Sequence, residues 1–165
     1  MSPADRAAAP RLPAPVGALV SRLPQFPHSL GLAIALNLLL RPKLAQESEN
    51  ELRGRVIAIE IEDAGIDLRV RLGSMGFVPQ SSGVPAEVTF RATAHDYYLM
   101  ARRIEDPDTL FFNRRLRIEG NTELGLIVKN SLDAIDWQGL PAPLRRLLDR
   151  AAAFLNAAGG QDIPG

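Results

Sequence analysis

The sequence contains no cysteine. Disulfides, thiolate metal sites, iron–sulfur clusters and cysteine nucleophiles are therefore excluded, and the composition fits a reducing compartment. Histidine is nearly as scarce, with His28 and His95 the 2 present. Neither stands at metal-ligand or triad spacing from a partner, and general acid–base work needs a positioned one. Net charge is missing too. The 165 residues carry 19 basic and 19 acidic side chains, so no global field favours nucleic acid, and none is expected as a partner. No apolar run is long enough to span a bilayer. The stretch Leu30 to Leu40 falls short of the roughly 17–25 residues required. It follows a Pro-rich lead and precedes Arg41-Pro42-Lys43, a poor secretory cleavage site. A cytoplasmic protein without a transmembrane helix is expected.

Signals for catalysis are equally thin. Ser81, Ser82 and Ser131 lack a nucleophile-elbow context. Gly120 and Gly125 resemble a fragment of a phosphate loop, but no Gly-rich run with a Lys follows a strand there. Glu105, Asp106 and Asp108 form an acidic cluster, yet calcium needs six or more oxygens from a suitably spaced loop. Asp106-Pro107 instead has the form of a helix cap followed by Pro at the first helical position. No catalytic residue, metal or cofactor is expected, and the chain does not read as an enzyme.

What is present is an apolar pattern of two periods. Residues 1–27 form a flexible leader rich in Pro and Ala, and residues 28–50 an apolar N-terminal helix capped by Ser29. Residues 51–158 form the main domain, and 159–165 a loose tail. The helix is apolar on every side apart from Asn37, so it is buried in protein or in lipid. Pro42 should break it. On the lipid reading, Leu32, Leu36, Leu39, Leu40 and Arg41 contact a membrane.

Four strands follow: Val56 to Asp63, Ile66 to Leu72, Met75 to Pro79 and Ala86 to Thr93. Their period-two alternation and short connections predict an antiparallel meander, packed on one face and wet on the other. On the first strand, Ile57, Ile59 and Ile61 share one face and Val56, Ala58 and Glu60 the other. A helix to about Arg103 opens near Thr93, with His95 at its surface. A short helix then carries Leu110, Phe111 and Phe112. A fifth strand, Arg114 to Glu119, points Leu116 and Ile118 inward. Asn121 caps a helix from Thr122 to Ile135, with Leu124, Ile127, Val128 and Leu132 on one stripe and Lys129 on the other side. A last helix runs from about Pro143 to Ala157. Strands clustered before helices predict an α+β domain with helices over the apolar sheet face. The pairs Arg102-Arg103, Arg114-Arg115 and Arg145-Arg146 are either solvated faces or a patch for anionic lipid headgroups.

The large apolar side chains converge between the sheet and its helices. Phe77, Val88, Phe90, Leu99, Phe111, Phe112, Leu116, Ile118, Leu124, Ile127, Val128 and Leu132 either fill a packed core or line a lipid cavity. Both need apolar residues at the same positions.

The stretches GRVIAIEIEDAGIDLRV, PAEVTFRATAHDYYLM and RLRIEGNTELGLIVKNSLDAI resemble the sterol-carrier-protein-type lipid-binding domain. DPDTLFFNRRLRIEGNTELGLIVKNSLDAID is similar to the branch of that family that serves ubiquinone biosynthesis. The resemblance covers about residues 45–137. It implies a five-stranded, mainly antiparallel sheet covered on one face by helices that enclose an apolar lipid cavity. It also implies a non-enzymatic role: holding ubiquinone, its prenylated precursors or phospholipid for enzymes of the oxygen-independent route. Proteins of the UbiU and UbiV hydroxylase type are the implied partners, and peripheral contact with the inner membrane the implied location. Asn113, Asn121, Thr122 and Lys129 are then candidates for the cavity mouth. A general phospholipid or sterol-type carrier, or a scaffold that docks partner enzymes, is the competing reading.

Overall fold

A computed structural model describes residues 14–15, 18, 25–135 and 139–159. Most of the expected leader, Trp137 and residues 160–165 of the tail lie outside them.

Helix α1 spans Gln25–Leu39. It begins ahead of Ser29, which lies inside it rather than capping it; the buried Ser29 Oγ accepts the N–H of Arg69 at 3.3 Å. Pro42, which cannot donate to a helix ladder, sits in a 3-10 turn, Arg41–Lys43. Helix α2, Gln46–Leu52, follows.

Strands β1 (Val56–Ile61), β2 (Ile66–Gly73) and β3 (Gly76–Gln80) form the expected meander. Ile57 lies opposite Val70, and Leu72 opposite Phe77. Strand β4, Val88–Ala92, departs from the antiparallel expectation. It pairs with β1 in parallel, Ile57 beside Val88 and Ile59 beside Phe90. The physical reason lies in β1. Val56, Ile57 and Ala58 are all buried, the mark of a central strand covered on both faces. The connection 81–87 returns across the far face. Arg69 donates to the Val84 carbonyl, and the Glu87 N–H reaches the Val56 carbonyl at 2.9 Å. Val56 and Ala58, assigned by alternation to the wet face, are therefore buried. Strand β5, Arg117–Gly120, pairs antiparallel with β4 and sets Ile118 opposite Phe90. The mixed sheet has the order β3-β2-β1-β4-β5.

Local capping chemistry places the remaining helices. Thr93 caps α3 (Ala94–Ala101) by accepting the Asp96 N–H at 3.2 Å. Asp106 caps α4 (Pro107–Phe112) by accepting the Thr109 N–H at 2.8 Å. Asn121 caps α5 (Thr122–Asp133) by accepting the Leu124 N–H at 3.1 Å. Helix α6 spans Ala142–Gly159. Each cap satisfies a donor that the first helical turn leaves free.

The helices lie on one face of the sheet, α1 against β2 and β3 and α5 against β4 and β5. Asn37, the polar interruption of α1, fixes the first of these contacts. Its side-chain amide donates to the Phe77 carbonyl at 2.8 Å and accepts the Phe77 N–H at 2.7 Å. A side chain thus satisfies the outward backbone groups of an edge strand. Arg41 adds a hydrogen bond to the Met75 carbonyl at 2.6 Å. Gly76, at φ 132, is required between them, because a Cβ there would overlap the Asn37 side-chain oxygen. At the other end of the sheet Gly125 lets α5 approach, since a Cβ would strike Ile118. The two glycines that suggested a phosphate loop thus include one with a packing role.

Half of the paired arginines, Arg102, Arg103 and Arg115, are taken up by ion pairs between elements, whereas Arg114, Arg145 and Arg146 are exposed. Arg102 meets Asp149 and Arg103 meets Asp133, each at 2.8 Å. Arg115 bridges Asp96, which is buried, and Glu105, the latter at 2.8 Å. His95, expected at the surface, is half-buried, and burial lowers its pKa below the usual histidine value.

Replacing Asn37 with Leu keeps the size and removes both bonds to Phe77. The unpaired backbone groups are expected to destabilise the fold by about 1–3 kcal/mol. Urea unfolding of the variant against the wild-type chain measures it.

Candidate functional site

Between the helices and the sheet lies an apolar cavity of about 30 Å³. Its floor is Ile57 and Ile59 of β1 and Phe90 of β4. Leu36 of α1 and the following Leu40 close one side, and Val128, Lys129 and Leu132 of α5 the other. Tyr97 and Met100 of α3, Pro107 of α4, and Leu116 complete the wall. The Tyr97 hydroxyl donates to the Phe90 carbonyl at 3.0 Å, so its ring is available to the cavity while its polar end is satisfied. Burial pushes this phenol well above its usual pKa and keeps it neutral.

The void holds little more than a water or two, whereas a dry apolar cavity takes up benzene at about 150 Å³. An occupant the length of a lipid tail enters only if helices part from the sheet. Its reward is apolar burial, at roughly 0.8 kcal/mol per methylene.

Of the residues expected to touch lipid, Phe90, Leu116, Val128 and Leu132 line this cavity. Phe77, Val88, Leu99 and Leu124 are buried elsewhere in the core region. Phe111, Ile118 and Ile127 are half-buried. Phe112 is 78% exposed, its ring edge-on to Phe111 with centroids 5.8 Å apart. Leu36 and Leu40, expected on a membrane, are buried at the cavity instead; Leu32 and Leu39 are half-buried. The outward row of α1 is a different one, Leu30, Ile34 and Leu38. A helix apolar on all sides carries no moment that tells these rows apart. Sequence reasoning left out Ile57, Ile59, Tyr97, Met100 and Pro107. The alternation of β1 was the signal for the two isoleucines.

The polar candidates separate cleanly. Asn121 is committed to its cap, and Asn113 and Thr122 are exposed. Lys129, expected on the outer side of α5, is buried. Its stem joins the cavity wall and its ammonium pairs with Asp108 of α4. The acidic cluster is divided among three tasks: Glu105 pairs with Arg115, Asp106 caps α4 and Asp108 meets Lys129. Among the described residues no group of three or more His, Asp or Glu is gathered as a metal site.

This arrangement matches a known family. Residues 36–133 fit the SCP-2 sterol transfer family. The chain belongs to that family. The SCP-2 segment starts at Leu36 and ends with α5, so among the described residues it takes in every one that lines the cavity. The ubiquinone biosynthesis accessory factor UbiT of Escherichia coli, strains K12 and O157:H7, is 46% identical over 107 residues. That match covers 64% of this chain and 60% of UbiT, so the chain spans about three fifths of the length of these relatives. A solved structure titled UbiJ-SCP2 ubiquinone synthesis protein superposes with a TM-score of 0.51 at 16% identity. It covers 64% of this chain and 93% of that one, and the likeness is one of fold.

The two rows of α1 give a direct check. Leu36→Asp puts a charge at the cavity wall and is expected to cost about 3–5 kcal/mol. Ile34→Asp, at a position 50% exposed, is expected to change stability by less than about 1 kcal/mol. Thermal or urea unfolding of the pair decides which row faces inward.

Proposed function

We propose that this chain is a non-enzymatic lipid-binding accessory factor of ubiquinone biosynthesis. It holds ubiquinone or a prenylated precursor with the isoprenoid tail between sheet and helices. The observation that carries this reading is an apolar cavity whose lining, among the described residues, lies within the SCP-2 segment. The identity to an accessory factor named for that pathway directs it to ubiquinone rather than to lipids at large. Handing the ligand to hydroxylating enzymes of the UbiU and UbiV type is part of the same proposal, as is a cytoplasmic location with peripheral membrane contact.

Tail burial supplies affinity without a dedicated polar site. The headgroup stays at the mouth, because burying an unpaired polar group costs about 1–3 kcal/mol. Among the described residues no helix is long and apolar enough to cross a membrane. Leu30, Ile34 and Leu38 on the outside of α1, with the exposed Met75 beside Arg41, supply the surface through which we propose that it touches one.

The test is organic extraction of the purified full chain followed by mass spectrometry, with thermal unfolding in the presence of added ubiquinone. Co-purifying quinone or precursor and a rise in Tm that grows with ligand concentration are expected. Lipid-free protein whose Tm does not respond to ubiquinone would contradict the proposal.

A further inference from the structure

Helix α4 ends in a protrusion that the core does not use. Its last residue, Phe112, is 78% exposed. Asn113 and Arg114, which follow, are exposed as well. Leu110 before them and Leu116 after them are buried, so the chain leaves the core for one turn and returns. Backbone bonds hold that turn. The Arg114 N–H donates to the Phe111 carbonyl at 3.0 Å, and the N–H groups of Arg115 and Leu116 reach the Leu110 carbonyl at 2.9 and 3.0 Å. Arg115 is anchored in turn by Asp96 and Glu105. Arg114 itself stands at φ 59, in the left-handed region that favours glycine. The Phe112 ring is braced edge-on by Phe111. An aromatic ring and a guanidinium are therefore presented together on a fixed turn.

The charges nearby select what covers it. Arg103 has the same left-handed backbone, at φ 56, and its guanidinium is taken by the Asp133 carboxylate at 2.8 Å. Arg114 has no such acid among the described residues. A carboxylate from outside the chain is what it lacks. The same helix start exposes Asp106 and Asp108, carboxylates that an anionic bilayer surface repels. The outer row of α1 differs, because no acidic residue occurs from Gln25 to Gln46. That row suits lipid, whereas the α4 turn has the aromatic and arginine character enriched at the centre of protein interfaces. Resting on the accessory-factor reading above, we propose that Phe112 and Arg114 form a docking knob for a partner protein. Phe112 enters an apolar pocket of the partner, and Arg114 meets a carboxylate at its rim. Pro107 of the same helix lines the chamber, so the partner docks on the outside of a helix that walls it.

Photo-crosslinking in living cells tests the knob. The photoreactive residue para-benzoylphenylalanine replaces Phe112 in the full-length chain and, as a reference, Ile34 in a second one. Adducts formed on irradiation are purified, digested and sequenced by mass spectrometry. Position 112 is expected to give one main protein adduct, absent from position 34, whose crosslinked peptide carries Asp or Glu beside apolar residues. Arg114→Glu is expected to lower its yield about tenfold, the loss of one charge-assisted contact. Exchanging the partner's carboxylate for lysine is expected to restore it. Arg114→Gly removes the charge and relieves the backbone, so it is expected to weaken the adduct while Tm stays unchanged or rises. Adducts at position 112 that are absent, made with lipid alone, made with a second copy of this chain, or shared with position 34 overturn the proposal. So does a protein adduct that Arg114→Glu leaves unchanged. Lipid extracted from the same preparations separates the two readings: a wild-type chain that gives the charge-dependent adduct yet carries no lipid upholds the knob and sinks the lipid-binding reading.

Discussion

The structure turns on one polar contact in an apolar helix. Asn37 pairs with both backbone groups of Phe77 on the edge strand. Hydrophobic burial alone would hold α1 on the sheet in any of several rotations, because its sides are nearly equally apolar. The amide selects one of them. With Asn37 on β3, Leu36 and Leu40 turn into the chamber and Leu30, Ile34 and Leu38 turn out. The same choice makes Gly76 necessary. The helix therefore serves two environments, the chamber within and an exposed apolar row without.

The opposite wall is set by closeness rather than by hydrogen bonds. Gly125 brings α5 down onto Ile118 and Val88, and its inward stripe places Val128 and Leu132 over Phe90 and the β1 isoleucines. The chamber between the walls is small, and this is consistent with an occupant that makes its own room. Interiors pack to crystal-like density, so an empty domain collapses on its apolar lining, and a long tail regains that lining when it enters. Lys129 and Asp108 join α4 to α5, with the lysine stem in the apolar wall and its ammonium on the carboxylate.

Features governed by near neighbours were legible in the sequence. The caps at Thr93, Asp106 and Asn121 stand where their residue types and the following turns require. The inward rows of β2 and α5 follow their periods. What was not legible depends on distant partners. β4 was read as the next strand of a meander because the connection 81–87 looks like an ordinary turn. Only the all-apolar start of β1 hinted that a second strand had to flank it. The inward row of α1 was hidden for the same reason, since its deciding partner, Phe77, stands forty positions on. Lys129 was placed outside by its charge, although a lysine stem can line an apolar wall while its head reaches the surface.

The central claim is that an isoprenoid tail occupies the chamber between helices and sheet, not the outer face of α1. Nuclear Overhauser contacts between a short-tailed ubiquinone and methyl-labelled protein test it most directly. The account predicts contacts from the tail to Leu36, Ile57, Ile59, Val128 and Leu132. Contacts confined to Leu30, Ile34 and Leu38 would contradict it.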